Sequence, residues 1–170
     1  MRGASLIGLI SDTHGLLRPE AFEALEGCQL IIHAGDVGKP EIIEKLRAIA
    51  PVTAVRGNVD KGGWAARLPV TAVVEAASTR IYVLHDIQQL DIDPAAAGFG
   101  IVISGHSHKA RREERSGVLY VNPGSAGPRR FRLPVTVARL DLRRRPWIVE
   151  FVNLVATRAH PAKSASHAIR

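Results

Sequence analysis

Three apolar runs, LIGLIS (6–11), QLIIHAGD (29–36) and VTAVRGN (52–58), alternate with two segments of helical periodicity, and this order constrains the fold more than any other feature of the chain. In RPEAFEALEG (18–27), Phe22 and Leu25 recur at helical spacing before Gly27 ends the pattern. In KPEIIEKLRAIA (39–50), a proline suited to a helix's first turn precedes Ile42, Ile43 and Leu46 on one face. The βαβαβ order predicts parallel strands with right-handed crossovers, whose carboxyl ends line one edge where sites gather. The remainder is richer in strands: LPVTAVVE (68–75), TRIYVLHD (79–86), GIVISGH (100–106), KARREER (109–115), VLYVNPG (118–124), PVTVARLDL (134–142) and PWIVEFVNL (146–154). Ser116-Gly117 and Arg145-Pro146 punctuate them as turns, so short antiparallel pairs are expected there. The two halves predict two sheets face to face with helices outside.

A chain of 170 residues is long enough for one good core and short for two. A single domain over 1–155 is therefore expected, followed by a polar, basic, mobile tail over 156–170 whose His160 and His167 are solvated bystanders. Cys28 is the sole cysteine, which excludes an intrachain disulfide and a thiolate metal cluster and reads as a buried structural thiol. No run approaches the roughly 20 apolar residues that span a bilayer. The opening apolar run meets Ser11 and Asp12, as a first strand does and a signal peptide does not. No membrane partner and a cytoplasmic location are the expectation. Much of the formal net charge of +7 sits in short clusters at 111–115, 129–132 and 143–145 and in the basic tail, without an RNA- or DNA-binding motif. Solvated surface is the first reading of these clusters and attraction of anionic substrates the second.

Polar residues recur directly after the apolar runs: Asp12 and His14, Asp36 after Gly35, Asn58 after Gly57, His85, and His106 and His108 after Gly105. Singly, an Asp or Asn there starts a turn or caps a helix, and a lone His is a hydrogen-bonded structural residue. Seven at one edge read differently, because desolvated carboxylates and imidazoles need partners and a divalent cation is one. A mixed His/carboxylate set suits Zn, Mn or Fe better than Ca or Mg. Asp36, on a central strand, is the carboxylate placed to bridge two ions. A spacing of two, in D-T-H and H-S-H, keeps both members of each pair on one side of an extended segment.

The ordered series D-T-H (12–14), G-D (35–36), G-N (57–58), His85 and G-H-S-H (105–108) resembles the calcineurin-like metallophosphoesterases, over about residues 6–153. With N-P-G-S (122–125) and the short length, the chain is similar to the small phosphodiesterase branch of that family, which also includes a eukaryotic endosomal-coat subunit used as a scaffold. The resemblance implies a four-layer α/β/β/α sandwich of two mixed β-sheets flanked by helices. It implies one metal held by Asp12, His14, Asp36 and His108, and a second held by Asp36, Asn58 (through its amide oxygen), His85 and His106. Asp36, Asn58 and His85 are expected to be catalytic as well as ligating. The implied chemistry is attack of a metal-bridging hydroxide on phosphorus, with manganese the leading metal and iron, zinc and nickel as alternatives. The expected partner is a phosphate-ester small molecule or a nucleotide. A nuclease on the basic surface, a protein-binding scaffold and a homo-oligomer remain open.

Two departures from the family pattern bear on this. Many relatives carry a His directly after the Asn; Val59 stands here. General acid catalysis contributes about 10²–10⁴-fold, so its loss points to activated or cyclic phosphodiesters rather than simple alkyl phosphates. Asp86 follows His85 where relatives often carry Gly, and it either orients an imidazole or caps the next loop. His33 is expected in the core or behind the site, and Asp60 at a turn cap. Arg129 or Arg130, beyond the N-P-G-S turn, is placed either to neutralise a substrate phosphate or to pair at the surface. Trp64 and Trp147 are expected to pack in the core or at an interface.

Overall fold

Each apolar run becomes a strand that stops where its polar residues begin. The computed structural model describes residues 3–130 and 132–155; the expected tail lies outside them. In chain order the elements are β1 (Leu6–Ile10), α1 (Pro19–Leu25), β2 (Leu30–His33), α2 (Pro40–Arg47), β3 (Val52–Ala54), β4 (Thr71–Ala76), β5 (Thr79–Leu84), β6 (Ile101–Ile103), β7 (Arg111–Arg115), β8 (Val118–Asn122), β9 (Thr136–Asp141) and β10 (Ile148–Asn153). Short 3-10 helices occupy Ala65–Arg67 and Ile87–Gln89.

The strands form two mixed five-stranded sheets, ordered β10-β9-β1-β2-β3 and β4-β5-β6-β8-β7. The expected βαβαβ unit is present, with β1, β2 and β3 parallel and adjacent. The antiparallel reading of the second half holds for β4/β5, β7/β8 and β9/β10. It does not hold for β5/β6 and β6/β8, which are parallel. The connection over 85–100 is long enough to carry the chain back to the starting end of β5, as a parallel pair requires. The β7 strand then takes the sheet edge, and Ser116 and Gly117, both left-handed (φ 51° and 75°), turn the chain back so that β8 enters beside β6. The halves also do not map one to one onto the sheets, because β9 and β10 return to the first.

Both faces of β1 and β2 are buried, which is why these two central strands are apolar almost throughout rather than alternating. Ile7, Leu9, Leu30 and Ile32 meet Val74, Ile81, Val83, Ile101 and Leu119 between the sheets. Ile10, Ile31 and Val137 on the opposite face pack under Ala21 and Leu25 of α1 and Ile42, Ile43 and Leu46 of α2. Close approach of α1 depends on Gly8, where a Cβ would stand 2.7 Å from Leu25 Cδ2. The outer layers are uneven: α1 and α2 cover the first sheet, while Ile87 and Leu90 cover Leu84, Val102 and Val118 on the second. Cys28 is buried, and burial pushes its thiol pKa up, in keeping with a structural thiol. Trp64 packs on the helix-side cluster and Trp147 against the cluster between the sheets, as expected of core aromatics. Among the described residues no helix is long and apolar enough to cross a membrane.

Candidate metal centre

The loops after β1, β2, β3, β5 and β6 open on one edge, and all seven residues singled out above meet there. His108 Nε2 lies 3.2 Å from Asp12 Oδ1, and His14 Nε2 lies 3.4 Å from His108 Nε2. His14 Nε2 is also 3.9 Å from both Asp12 Oδ1 and Asp36 Oδ2. On the other flank, His85 Nε2 is 3.4 Å from Asp36 Oδ2 and 3.1 Å from Asn58 Oδ1, and His106 Nδ1 is 3.2 Å from that same Asn58 oxygen. Asp12, His14 and His108, and likewise Asp12, Asp36 and His85, each offer donor atoms within 4.8 Å of one another, compact enough for a metal ion.

This convergence is built by strained backbone and by glycines. Asp12, His14, Asp36, His106 and His108 all adopt left-handed φ, between 47° and 67°. Such residues cost about 1–3 kcal/mol each and persist only where the surroundings over-determine them. The three G-D, G-N and G-H dipeptides are requirements of space. A Cβ on Gly35 would stand 2.6 Å from the His85 ring, one on Gly57 would collide with the Asp36 carboxylate, and one on Gly105 would collide with Ser11 Oγ and crowd Asp12. Asp60 is buried and accepts from the backbone amides of Val37, Gly38 and Gly57, tying the loops after β2 and β3 together. Its expected turn-capping role is thus extended to two loops.

The protonation pattern decides what the cradle lacks. Ser11 Oγ (2.6 Å) and the His106 amide (3.1 Å) both donate to Asp12 Oδ2, while Asp12 Oδ1 is buried and has no hydrogen bond. His85 Nδ1–H donates to the Ala34 carbonyl at 2.8 Å, which turns the Nε2 lone pair of the neutral ring towards Asp36 and Asn58 oxygens. With that ring neutral, acceptors face acceptors, and a positive charge among them, on a ring nitrogen or as a bound cation, is what relieves this. Burial opposes a charge on His85, but hydrogen bonds to Asp36 and Ala34 outweigh it and raise its pKa. Burial likewise works against ionised Asp36, yet the His85 hydrogen bond and the Val59 amide hold its carboxyl below the usual range. The His14 imidazole is pushed down by burial, and Arg130 and His108 add to this against the pull of Asp36 and Asp12. The buried Asp12 oxygen without a hydrogen bond and the all-oxygen-and-nitrogen donor set fit a divalent metal cation.

The secondary candidates separate. Arg130 Nη2 reaches 3.4 Å from His14 Nε2, at the rim of the cradle. Arg129 instead lines a shallow depression with Arg132, Pro134 and Asn153. Asp86 caps the 3-10 helix, Oδ1 accepting from the Gln88 amide at 3.0 Å, while Oδ2 lies 3.9 Å from His106 Nε2. His33 is buried behind the site against Thr13. Ser11 carries no motif of its own in the sequence, and N-P-G-S reads there only as a turn towards this edge. Ser125 Oγ donates to the Asp12 carbonyl and Asn122 Nδ2 to the Gly105 carbonyl, so both brace the metal-side loops. The one available signal was their polarity inside or beside apolar runs. Members of two basic clusters are engaged at the surface: Arg111 and Arg115 with Glu113, Arg143 with Asp141, and Arg145 over the Trp147 ring.

Comparison with known proteins identifies the family and the fold. Residues 6–145 match the calcineurin-like phosphoesterase superfamily domain. A probable metallophosphoesterase of Methanothermobacter thermautotrophicus is 38% identical over 149 residues, covering 80% of this chain and 86% of that protein. A phosphodiesterase of Methanocaldococcus jannaschii is 28% identical over 137 residues, covering 69% and 82%. The crystal structure of Chaetomium thermophilum Vps29 superposes with a TM-score of 0.72 at 22% identity, over 88% of this chain and 97% of that one, a likeness of fold.

Proposed function

Because the chain belongs to the calcineurin-like phosphoesterase superfamily, we propose that it is a binuclear metal-dependent phosphodiesterase acting on small phosphate esters or nucleotides. The observation that carries this reading is the Asp12 Oδ1 atom, buried without a hydrogen bond and facing His108 Nε2 at 3.2 Å. A surface that only docks a protein partner gives no account of such an atom, nor of five left-handed residues around it. Catalysis is therefore favoured over a scaffold role.

In this reading Asp12, His14 and His108 hold one cation, Asn58, His85 and His106 the other, and Asp36 bridges them. Bound there, two divalent ions, manganese first among them, supply an acidified water near neutral pH and neutralise charge at phosphorus. The chain's own residues do the rest. Ser11 and the His106 amide fix Asp12 so that Oδ1 is presented. The Ala34 carbonyl sets the His85 tautomer. Arg130, at the rim beside His14, is placed to take a non-bridging phosphate oxygen. Val59 offers only its amide, which donates to Asp36 Oδ1, so no side-chain acid at this position protonates the leaving group. Good leaving groups are favoured for that reason.

The test is hydrolysis of bis(p-nitrophenyl) phosphate. Turnover is expected with added Mn²⁺, should vanish on chelation, and should exceed that of p-nitrophenyl phosphate. Turnover that persists in excess chelator would refute the mechanism.

A further inference from the structure

Beside Asn58, His85 and His106 a cleft of about 500 Å³ opens along the outer face of the second sheet, within the range that takes a drug-sized organic molecule. Its floor is apolar: Leu84 and Tyr82 share one face of β5, with Val70 alongside. The Tyr82 ring is held edge-on by Phe99, centroids 5.1 Å apart. Tyr82 precedes His85 by three residues, so the floor runs about 10 Å away from the metal edge. The rim is polar and of mixed charge, with Arg56, Gln89, Asp86 and Asp91. Val70 is 52% exposed, and the Arg56 guanidinium makes no hydrogen bond or ion pair among the described residues. Neither the metal cradle nor the folding of the sheet accounts for this combination.

The chemistry of the lining selects its occupant. An apolar floor with a fixed aromatic ring takes a flat ring. An amide, a guanidinium and carboxylates at the rim offer donors and acceptors to hydroxyl and ring-nitrogen groups. Two carboxylates against one guanidinium leave the rim net negative, which opposes a second phosphate. We propose that this cleft binds the organic arm of the phosphodiester, and that it selects a neutral, ring-bearing arm of nucleoside size over one carrying a further phosphate. The inference rests on the phosphodiesterase reading above, and its test separates the two.

Competitive inhibition of bis(p-nitrophenyl) phosphate hydrolysis is compared for inorganic phosphate, adenosine monophosphate and adenosine 3′,5′-bisphosphate. The monophosphate should inhibit about tenfold more tightly than phosphate, and the bisphosphate more weakly than the monophosphate. Gln89→Ala and Tyr82→Leu should each weaken the monophosphate and leave phosphate inhibition unchanged. Asp91→Asn should narrow the gap between the mono- and bisphosphate. A readout free of turnover is the shift of the Tyr82 and Gln89 amide resonances when adenosine is titrated into chelated protein. Equal inhibition by phosphate and the monophosphate, in a protein that hydrolyses the diester, overturns the cleft assignment and leaves the phosphodiesterase reading standing. Absence of diester hydrolysis, with adenosine still shifting those amides, overturns the functional reading and keeps the cleft.

Discussion

Asp36 reaches both halves of the cradle. Its Oδ2 stands 3.4 Å from His85 Nε2 and 3.9 Å from His14 Nε2, while Oδ1 accepts the Val59 amide at 3.0 Å. That oxygen arrangement depends on the left-handed backbone at Asp36 (φ 54°) and on Gly57, whose missing side chain leaves room for the carboxylate. Asn58 touches only the His85 and His106 side. The two positions therefore predict different losses. If Asp36 bridges two ions as proposed, Asp36→Asn keeps the shape and removes the bridging charge, so bound manganese should fall from about two per chain to well below one. Asn58→Ala should remove only the ion on the His85 and His106 side. Elemental analysis after gel filtration distinguishes them, and a full pair retained by Asp36→Asn would end its bridging role. These residues were legible in the sequence because the fold needs a glycine beside three of them, which leaves the G-D, G-N and G-H dipeptides as a written record.

At the scale of elements, the loop after β1 is pinned from behind by β2. Thr13 Oγ1 donates to the Val37 carbonyl at 2.9 Å, so it accepts from His33 Nε2–H at 3.0 Å, and His33 Nδ1 is left buried with no partner. Complete burial pushes the His33 pKa down to about 4, so the native state keeps it neutral while an unfolded chain protonates it below about 6.5. Its contribution to stability is whole above that unfolded value and is lost as pH falls from about 6.5 towards 4. Each pH unit in that window costs about 1.4 kcal/mol, about 3 kcal/mol in all. Urea unfolding of chelated protein should show this slope, and His33→Gln should lack it; equal slopes would mean the ring is protonated in the native state. The βαβαβ unit was readable because each apolar run is bounded by local turn chemistry. The parallel β5/β6/β8 pairing was not, since periodicity reports a strand and not its neighbour. Nor was the return of β9 and β10 to the first sheet. It is braced by the Ser125–Val135 bridge and by Ser125 Oγ bonding the Asp12 carbonyl across 113 residues, contacts without a local pattern.

Across the whole molecule, the cradle is split between two sheets. Asp12, His14, Asp36 and Asn58 come from loops of the first, and His85, His106 and His108 from loops of the second. The apolar layer of Leu9, Ile32, Val83 and Ile103 docks the sheets and so brings the halves together. A cation that binds only the docked state stabilises both sheets at once, by about 4 kcal/mol at a thousandfold excess over its Kd. Without it, the facing acceptors and the bare Asp12 oxygen oppose the same docking. The two tryptophans report different places: Trp64 lies in the helix-side cluster of the first sheet, and Trp147, just before β10 of that sheet, packs across the seam on the start of β6, where a Cβ on Gly100 would stand 2.8 Å from its ring. In Trp64→Phe and Trp147→Phe variants, thermal unfolding followed by the remaining tryptophan should rise by the same increment on adding Mn²⁺ and fall back on chelation. A rise seen by Trp64 alone would confine the metal to loops of the first sheet, and His85, His106 and His108 would then have no share in holding it.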